Sequence, residues 1–121
     1  MSTVNLTAET FEQTVRENEI VLLDFWAAWC GPCRMFGPIF EQTSAKHPDI
    51  VFGKIDTEAE QMLAAQAGIT SIPTLMVIRD GVLVFSQPGA LPAAALEDLV
   101  SQVRALDMES VRADIMAEQN A

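Results

Sequence analysis

The sequence predicts an α/β fold: a mixed central β-sheet flanked by helices on both faces. Three features carry this expectation. Ile20 to Ala27 form a short, nearly continuous apolar run, the pattern of a strand buried on both faces in a parallel sheet. Strand-like and helix-like segments alternate along the chain, which implies right-handed parallel crossovers. Asp80-Gly81, between two β-rich segments, is the strongest short hairpin signal in the chain and adds an antiparallel pair.

Each element follows from local chemistry. A short strand is expected at Val4 to Leu6. Thr7 is a helix cap whose hydroxyl can serve the first free amides, and the helix runs from Ala8 toward Asn18 with Glu9 and Glu12 suiting its positive start. The Ile20–Ala27 strand holds one ionisable residue, Asp24. After Gly31-Pro32, the spacing of Met35, Phe36, Ile39, Phe40 and Thr43 turns helical, and Pro38 predicts a kink because it lacks an amide donor. Ile50 to Asp56 reads as a strand. Glu58 to Ala67 is rich in helix formers, and Gly68 is placed to end that helix. Thr74 to Arg79 and Val82 to Ser86 are the hairpin strands. A last helix opens near Leu91-Pro92 and carries Leu96, Leu99, Val100, Val103 and Leu106 as an apolar stripe.

The chain has 121 residues, half of them apolar, enough for one compact domain with its own core. That domain is assigned to residues 1–106. Residues 107–121 are a C-terminal extension, helical or disordered, with Met108, Val111 and Ile115 at i, i+3 and i+7. The six methionines read as core filler rather than a cofactor box. A formal charge of -10 repels phosphate backbones and anionic headgroups, so neither nucleic acid nor membrane is an expected partner. Met1 to Asn5 show neither a basic nor an apolar leader pattern, and a cytoplasmic location is expected. In such a reducing compartment, two cysteines serve catalysis or metal binding more readily than a structural staple.

The most informative string is Trp29-Cys30-Gly31-Pro32-Cys33, at the end of a buried strand and the start of a helix. Two cysteines so spaced on a first helical turn can close a disulfide. Free amides and the helix dipole there stabilise a thiolate, which makes Cys30 the nucleophile. Cys33, a turn further in and expected to be more buried, would resolve the mixed disulfide. Two alternatives stand beside this. A zinc site needs two more ligands, and the chain offers no other cysteine and one histidine, His47. A purely structural disulfide across so short a loop would contribute only ~2 kcal/mol. Asp24, amid Leu22, Leu23, Phe25 and Trp26, suffers desolvation that raises its pKa and suits it to proton transfer; a strand-end carboxylate reaching solvent is the plainer reading.

The Trp29–Cys33 motif in this setting resembles the thioredoxin family, and the resemblance extends over roughly residues 4 to 106. It implies a dithiol–disulfide oxidoreductase that reduces disulfides in other proteins, is recharged by a thioredoxin reductase, needs no bound cofactor or metal, and works as a monomer. It assigns Asp24 to the buried aspartate that helps deprotonate the resolving thiol, and Lys54 to the lysine beside it. A cation there would lower the Asp24 pKa against desolvation, so the sequence leaves the net shift unsigned. The resemblance also makes Ile72-Pro73 a cis bond facing the cysteines, although most X-Pro bonds are trans. The backbone of Ile72 is then free to pair with an extended substrate strand. Trp29, Gly31, Pro32, Ile72, Pro73, Gly89 and Ala90 would line a flat, mostly apolar docking surface, with Gly89 permitting close approach of a partner backbone.

This sequence departs from the pattern in four places. Arg34 stands where many thioredoxins carry lysine. Ala67 replaces an aromatic before Gly68, which would trim the docking surface. Gly37 weakens the helix before Pro38, and the tail beyond Leu106 has no counterpart in the minimal fold. Gly31-Pro32 resembles reducing members of the family; oxidases and isomerases usually carry histidine before the second cysteine. A noncatalytic protein-binding or chaperone module is the competing class, and the presence of both cysteines argues against it. No P-loop or Gly-x-Gly-x-x-Gly occurs, so nucleotide chemistry is not expected.

Overall fold

The computed structural model describes residues 2–120. Ten elements follow one another: β1 (Thr3–Asn5), α1 (Ala8–Glu17), β2 (Ile20–Trp26), α2 (Gly31–Ala45), β3 (Val51–Asp56), α3 (Gln61–Gln66), β4 (Thr74–Arg79), β5 (Val82–Pro88), α4 (Ala93–Arg104) and α5 (Met108–Gln119). They build one sheet in the order β1-β3-β2-β4-β5. β3 runs parallel to β1 and β2, whereas β4 is antiparallel to β2 and β5. This is the mixed sheet expected from the sequence, and its topology is that of the thioredoxin fold.

The two-residue period of a strand divides the core between the faces. Ile20, Leu22, Phe52, Leu75 and Val77 point to the side covered by α2 and α4, where they meet Phe36, Phe40, Leu96, Val100 and Val103. Val21, Leu23, Phe25, Ile55 and Met76 point to the other side, against Leu6 and Leu63. Asp24 and Trp26 share parity with Leu22, and Lys54 with Phe52. All three therefore belong to the face under α2.

Local chemistry moved several element ends. α1 is capped at Thr7 in a capping box: the Thr7 side chain faces the Thr10 amide, and the Thr10 hydroxyl accepts in return from Thr7 N at 3.0 Å. Glu60 reaches across to accept from Ala8 N at 2.9 Å. α3 starts later than the composition implies because Asp56 Oδ1 accepts from Glu58 N at 2.9 Å and Ala59 N at 3.4 Å, which holds those residues in a turn. α2 continues through Pro38, which has no amide to give the Arg34 carbonyl. β5 runs two residues beyond Ser86, with a register shift opposite Val77 and Ile78. Asp80 and Gly81 both take positive φ, 51° and 79°, as a tight hairpin demands.

The extension is helical over α5, capped by the Asp107 carboxylate, which accepts from Glu109 N and Ser110 N. Met108 is buried, and Val111 and Ile115 border a cleft against Leu83 and Val84 of β5. The methionines correct an expectation. Met76 and Met108 are core residues, but Met35, Met62 and Met116 are exposed; Met1 lies outside the described residues, as does Ala121. Met35 occupies a helical position that falls on the outer side of α2, away from Phe36 and Phe40.

Candidate active site

β2 ends at Trp26, and a short loop delivers Trp29 and Cys30 to the start of α2. Cys30 is the helix N-cap, its Sγ accepting from Cys33 N at 3.2 Å, with Pro32 in the first turn. Pro is suited to that position because the amide it lacks would have no helical partner. Cys30 and Cys33 form a disulfide, with Cα atoms 5.2 Å apart, inside the usual range for such bonds. Among the described residues no group of three or more His, Cys, Asp and Glu is gathered as for a metal.

Both cysteines are buried in this oxidised form, Cys30 at 3% exposure and Cys33 at 5%. The expected contrast, an open Cys30 and a hidden Cys33, is absent. The reason is the Ile72 loop, which packs over Cys30: the Ile72 carbonyl oxygen lies 3.7 Å from its Sγ. Ile72-Pro73 is cis, as the resemblance implied, and Pro73 O accepts from Gly89 N at 2.7 Å. Ile72 thus lies against the disulfide, Gly89 is hydrogen-bonded to the neighbouring Pro73, and Trp29, Gly31, Pro32 and Ala90 are exposed, Gly31 and Pro32 in the first turn of α2. A Cβ added at Gly89 would meet nothing within 4 Å; its glycine suits a φ of 104°.

Asp24 is 1% exposed, and neither carboxylate oxygen finds a hydrogen-bond partner among the described residues. Burial pushes its pKa up to about 6; the Lys54 ammonium opposes this without cancelling it. The sign left open by the sequence is therefore upward. Lys54 stands beside Asp24 in the β2–β3 register, and its Nζ sits 4.8 Å from the centre of the Trp26 ring. A cleft of about 510 Å³ opens on this side, lined by Trp26, Cys33, Pro38 and Lys54, with Arg34 and Glu41 at its walls. Arg34 donates to the Ala28 carbonyl at 3.1 Å, which holds its guanidinium beside the motif.

A second cleft, about 460 Å³, lies between the Trp29 ring, Ile72 and α3. It contains a residue that sequence reasoning missed. Glu58 Oε1 accepts from Trp29 Nε1 at 2.7 Å and pins the exposed indole. The signal was available in strand register: Trp26 and Asp56 are partners in β2 and β3, so residues shortly after each end up adjacent. Ala67, by contrast, is not at this surface. It borders a separate cleft with Phe11, Leu63 and Met76, against the core on the sheet face away from α2. The expected trimming of the docking surface is therefore corrected. His47 takes no part either; Nε2 meets Glu97 Oε2 at 2.9 Å and Nδ1 meets Arg104 at 3.0 Å, in a cluster with Asp49.

A disulfide at the N-terminus of a helix, with a buried carboxylate on the sheet face that helix covers, is built for thiol–disulfide exchange, and the fold and site together define a disulfide-exchange oxidoreductase. The thioredoxin family model matches residues 2–102, and the chain belongs to that family. A Streptomyces coelicolor protein described as thioredoxin 2 is 60% identical over 120 residues, spanning 99% of this chain and 89% of that one. Thioredoxin of Bacillus subtilis is 40% identical over 103 residues, 84% of this chain and 98% of its own. Among solved structures, a thioredoxin variant from Halobacterium salinarum superposes with a TM-score of 0.79 at 33% identity, covering 87% of this chain and 94% of the other. Membership implies redox partners, a donor of electrons and disulfide-bearing acceptors. The family-model match ends within α4, whereas the Streptomyces relative aligns over nearly the whole chain, α5 included.

Proposed function

We propose that the chain is a general protein-disulfide reductase recharged by a thioredoxin reductase, a flavoenzyme drawing on NADPH, in a reducing compartment such as the cytoplasm. The observation that carries this is the Cys30 sulfur at the N-cap of α2, receiving the Cys33 amide. In the reduced protein that amide and the helix dipole stabilise a Cys30 thiolate. The thiolate attacks one sulfur of a substrate disulfide, forms a mixed disulfide and expels the other substrate sulfur as a thiolate. Cys33 loses its proton toward Asp24, whose raised pKa makes it a better acceptor than an ordinary carboxylate. The Cys33 sulfur then attacks Cys30, closing the Cys30–Cys33 disulfide and releasing the second substrate thiolate. Two electrons pass to the substrate, and the reductase returns them.

Lys54 limits the rise of the Asp24 pKa and so keeps the carboxylate ionised at neutral pH. The Ile72 backbone, with Trp29, Gly31, Pro32, Pro73, Gly89 and Ala90 around it, receives the substrate as an added strand. Gly31-Pro32 between the cysteines supports the reducing direction. Insulin reduction driven by NADPH and a purified thioredoxin reductase tests the reading, with turnover expected for the wild type and none for Cys30→Ser. Equal turnover in both would overturn it.

A further inference from the structure

We propose that the groove between Trp29 and α3 selects disulfide substrates carrying a lysine or arginine beside the attacked cysteine, through the Glu58 carboxylate and the exposed face of the Trp29 ring. This rests on the reductase reading above and specifies which substrates that site prefers.

Three observations converge. First, the groove is continuous with the disulfide: Ile72, whose carbonyl lies against Cys30 Sγ, forms one wall, and Trp29, next to Cys30 in the chain, forms another. A substrate strand laid along Ile72 must put a side chain next to its cysteine into this space. Second, the groove has one sign of charge. Between Lys54 and Arg79 the sequence contains no Lys, Arg or His, while its acids, Asp56, Glu58 and Glu60, all lie at the α3 end. Asp56 is turned to the amides of Glu58 and Ala59, and Glu60 to Ala8 N, so Glu58 is the acid that faces the groove. Its walls are otherwise neutral, among them Gln61 and Ser71. Third, Glu58 is held in place. Oε1 is occupied by Trp29 Nε1 at 2.7 Å, which leaves Oε2 without a hydrogen-bond partner among the described residues.

Trp29 is 66% exposed. An ammonium or guanidinium in this corner gains a carboxylate on one side and a π-face on the other. A substrate glutamate meets only repulsion. The overall charge of -10 adds a sign-matched field that speeds the approach of cationic partners and is screened by salt. Arg34, the cation nearest the motif in sequence, is tied to the Ala28 carbonyl and borders the opposite cleft, so it does not neutralise the groove.

The test uses prereduced full-length protein and a set of short peptides, each with one disulfide, differing only in Lys, Gln or Glu beside the attacked cysteine. Quenched alkylation and mass spectrometry give the second-order rate of oxidation of the protein by each peptide. The lysine peptide is expected to react about fivefold faster than the glutamate peptide, with the ratio shrinking in about 0.5 M salt. Glu58→Gln keeps an acceptor for Trp29 Nε1 but removes the charge, and should bring the ratio near unity. Glu109→Gln, on α5, removes the same charge elsewhere and should leave the ratio as in the wild type. An unchanged ratio in Glu58→Gln, or an equal loss in Glu109→Gln, defeats the assignment of selectivity to this groove while leaving the reductase reading standing. No reaction with any peptide defeats both.

Discussion

Asp24 and Lys54 are register partners in the parallel pair of β2 and β3, and both belong to the sheet face that α2 covers. Their opposed effects on one proton define the chemistry beneath the disulfide. Burial raises the Asp24 pKa from 3.8 to about 6 despite the cation. The folded protein therefore holds a proton that the unfolded chain has already lost between pH 4 and 6. Stability falls as pH rises through that window and stays at the lower level above it. Asp24→Asn, which cannot ionise, should match the wild type near pH 4 and exceed it at pH 7 by about 3 kcal/mol. Denaturant melts at the two pH values check this, and an equal difference at both would contradict it. The same variant should slow disulfide reduction, because the proton acceptor for Cys33 is gone.

Gly53 is present because Leu6 needs the space. A Cβ on Gly53 would collide with Leu6 Cδ1 and come 3.0 Å from its Cγ, with Leu23 Cδ2 at 3.4 Å. Leu6 and Leu23 are both buried, so neither side chain can simply swing outward. In an open strand, Gly→Ala would gain stability through the unfolded state. Here overpacking reverses the sign, and Gly53→Ala should lose about 1–3 kcal/mol. Combining it with Leu6→Ala should cost less than the sum of the two single changes, which thermal or denaturant unfolding of the four proteins would reveal.

Arg79 closes the end of α4. Its Nη1 donates to the carbonyls of Val103 at 2.6 Å, Leu106 at 2.9 Å and Arg104 at 3.3 Å. Val103 and Arg104 are the last residues of α4 and Leu106 lies just beyond it, so the guanidinium serves carbonyls at and past the helix end, where a cation also complements the dipole. Arg79→Met keeps the stem but not the donors and should lower stability by about 1–3 kcal/mol. Denaturant unfolding measures the loss.

Truncation after Leu106 removes α5 while sparing the disulfide, Asp24, Lys54 and the Ile72 loop. α5 contributes one buried side chain, Met108, and two half-buried ones, Val111 and Ile115. Its removal should cost about 1–3 kcal/mol of stability and leave the insulin-reduction rate unchanged. A lost rate in a folded truncation would make α5 part of the working site.

What the sequence made legible were features decided locally. The apolar run from Ile20, the switch to helical spacing after Pro32 and the Asp80-Gly81 turn each state their structure within a few residues. The motif likewise located Cys30 and Cys33 at a helix start. Features decided by distant groups were hidden. The burial of Cys30 depends on Ile72, far along the chain, and the exposure of Met35 on which side of α2 meets the sheet. Asp56 shortened α3 by taking amides that composition would have assigned to the helix. Glu58 is an ordinary acid in sequence and becomes the anchor of Trp29 only once β2 and β3 are paired in register.

The division of labour between the two sulfurs is tested most directly by mass spectrometry of single-cysteine variants mixed with insulin. Cys33→Ser should accumulate a mixed disulfide through Cys30, and Cys30→Ser should form neither adduct nor product. An adduct through Cys33 in Cys30→Ser, with none in Cys33→Ser, would contradict the account.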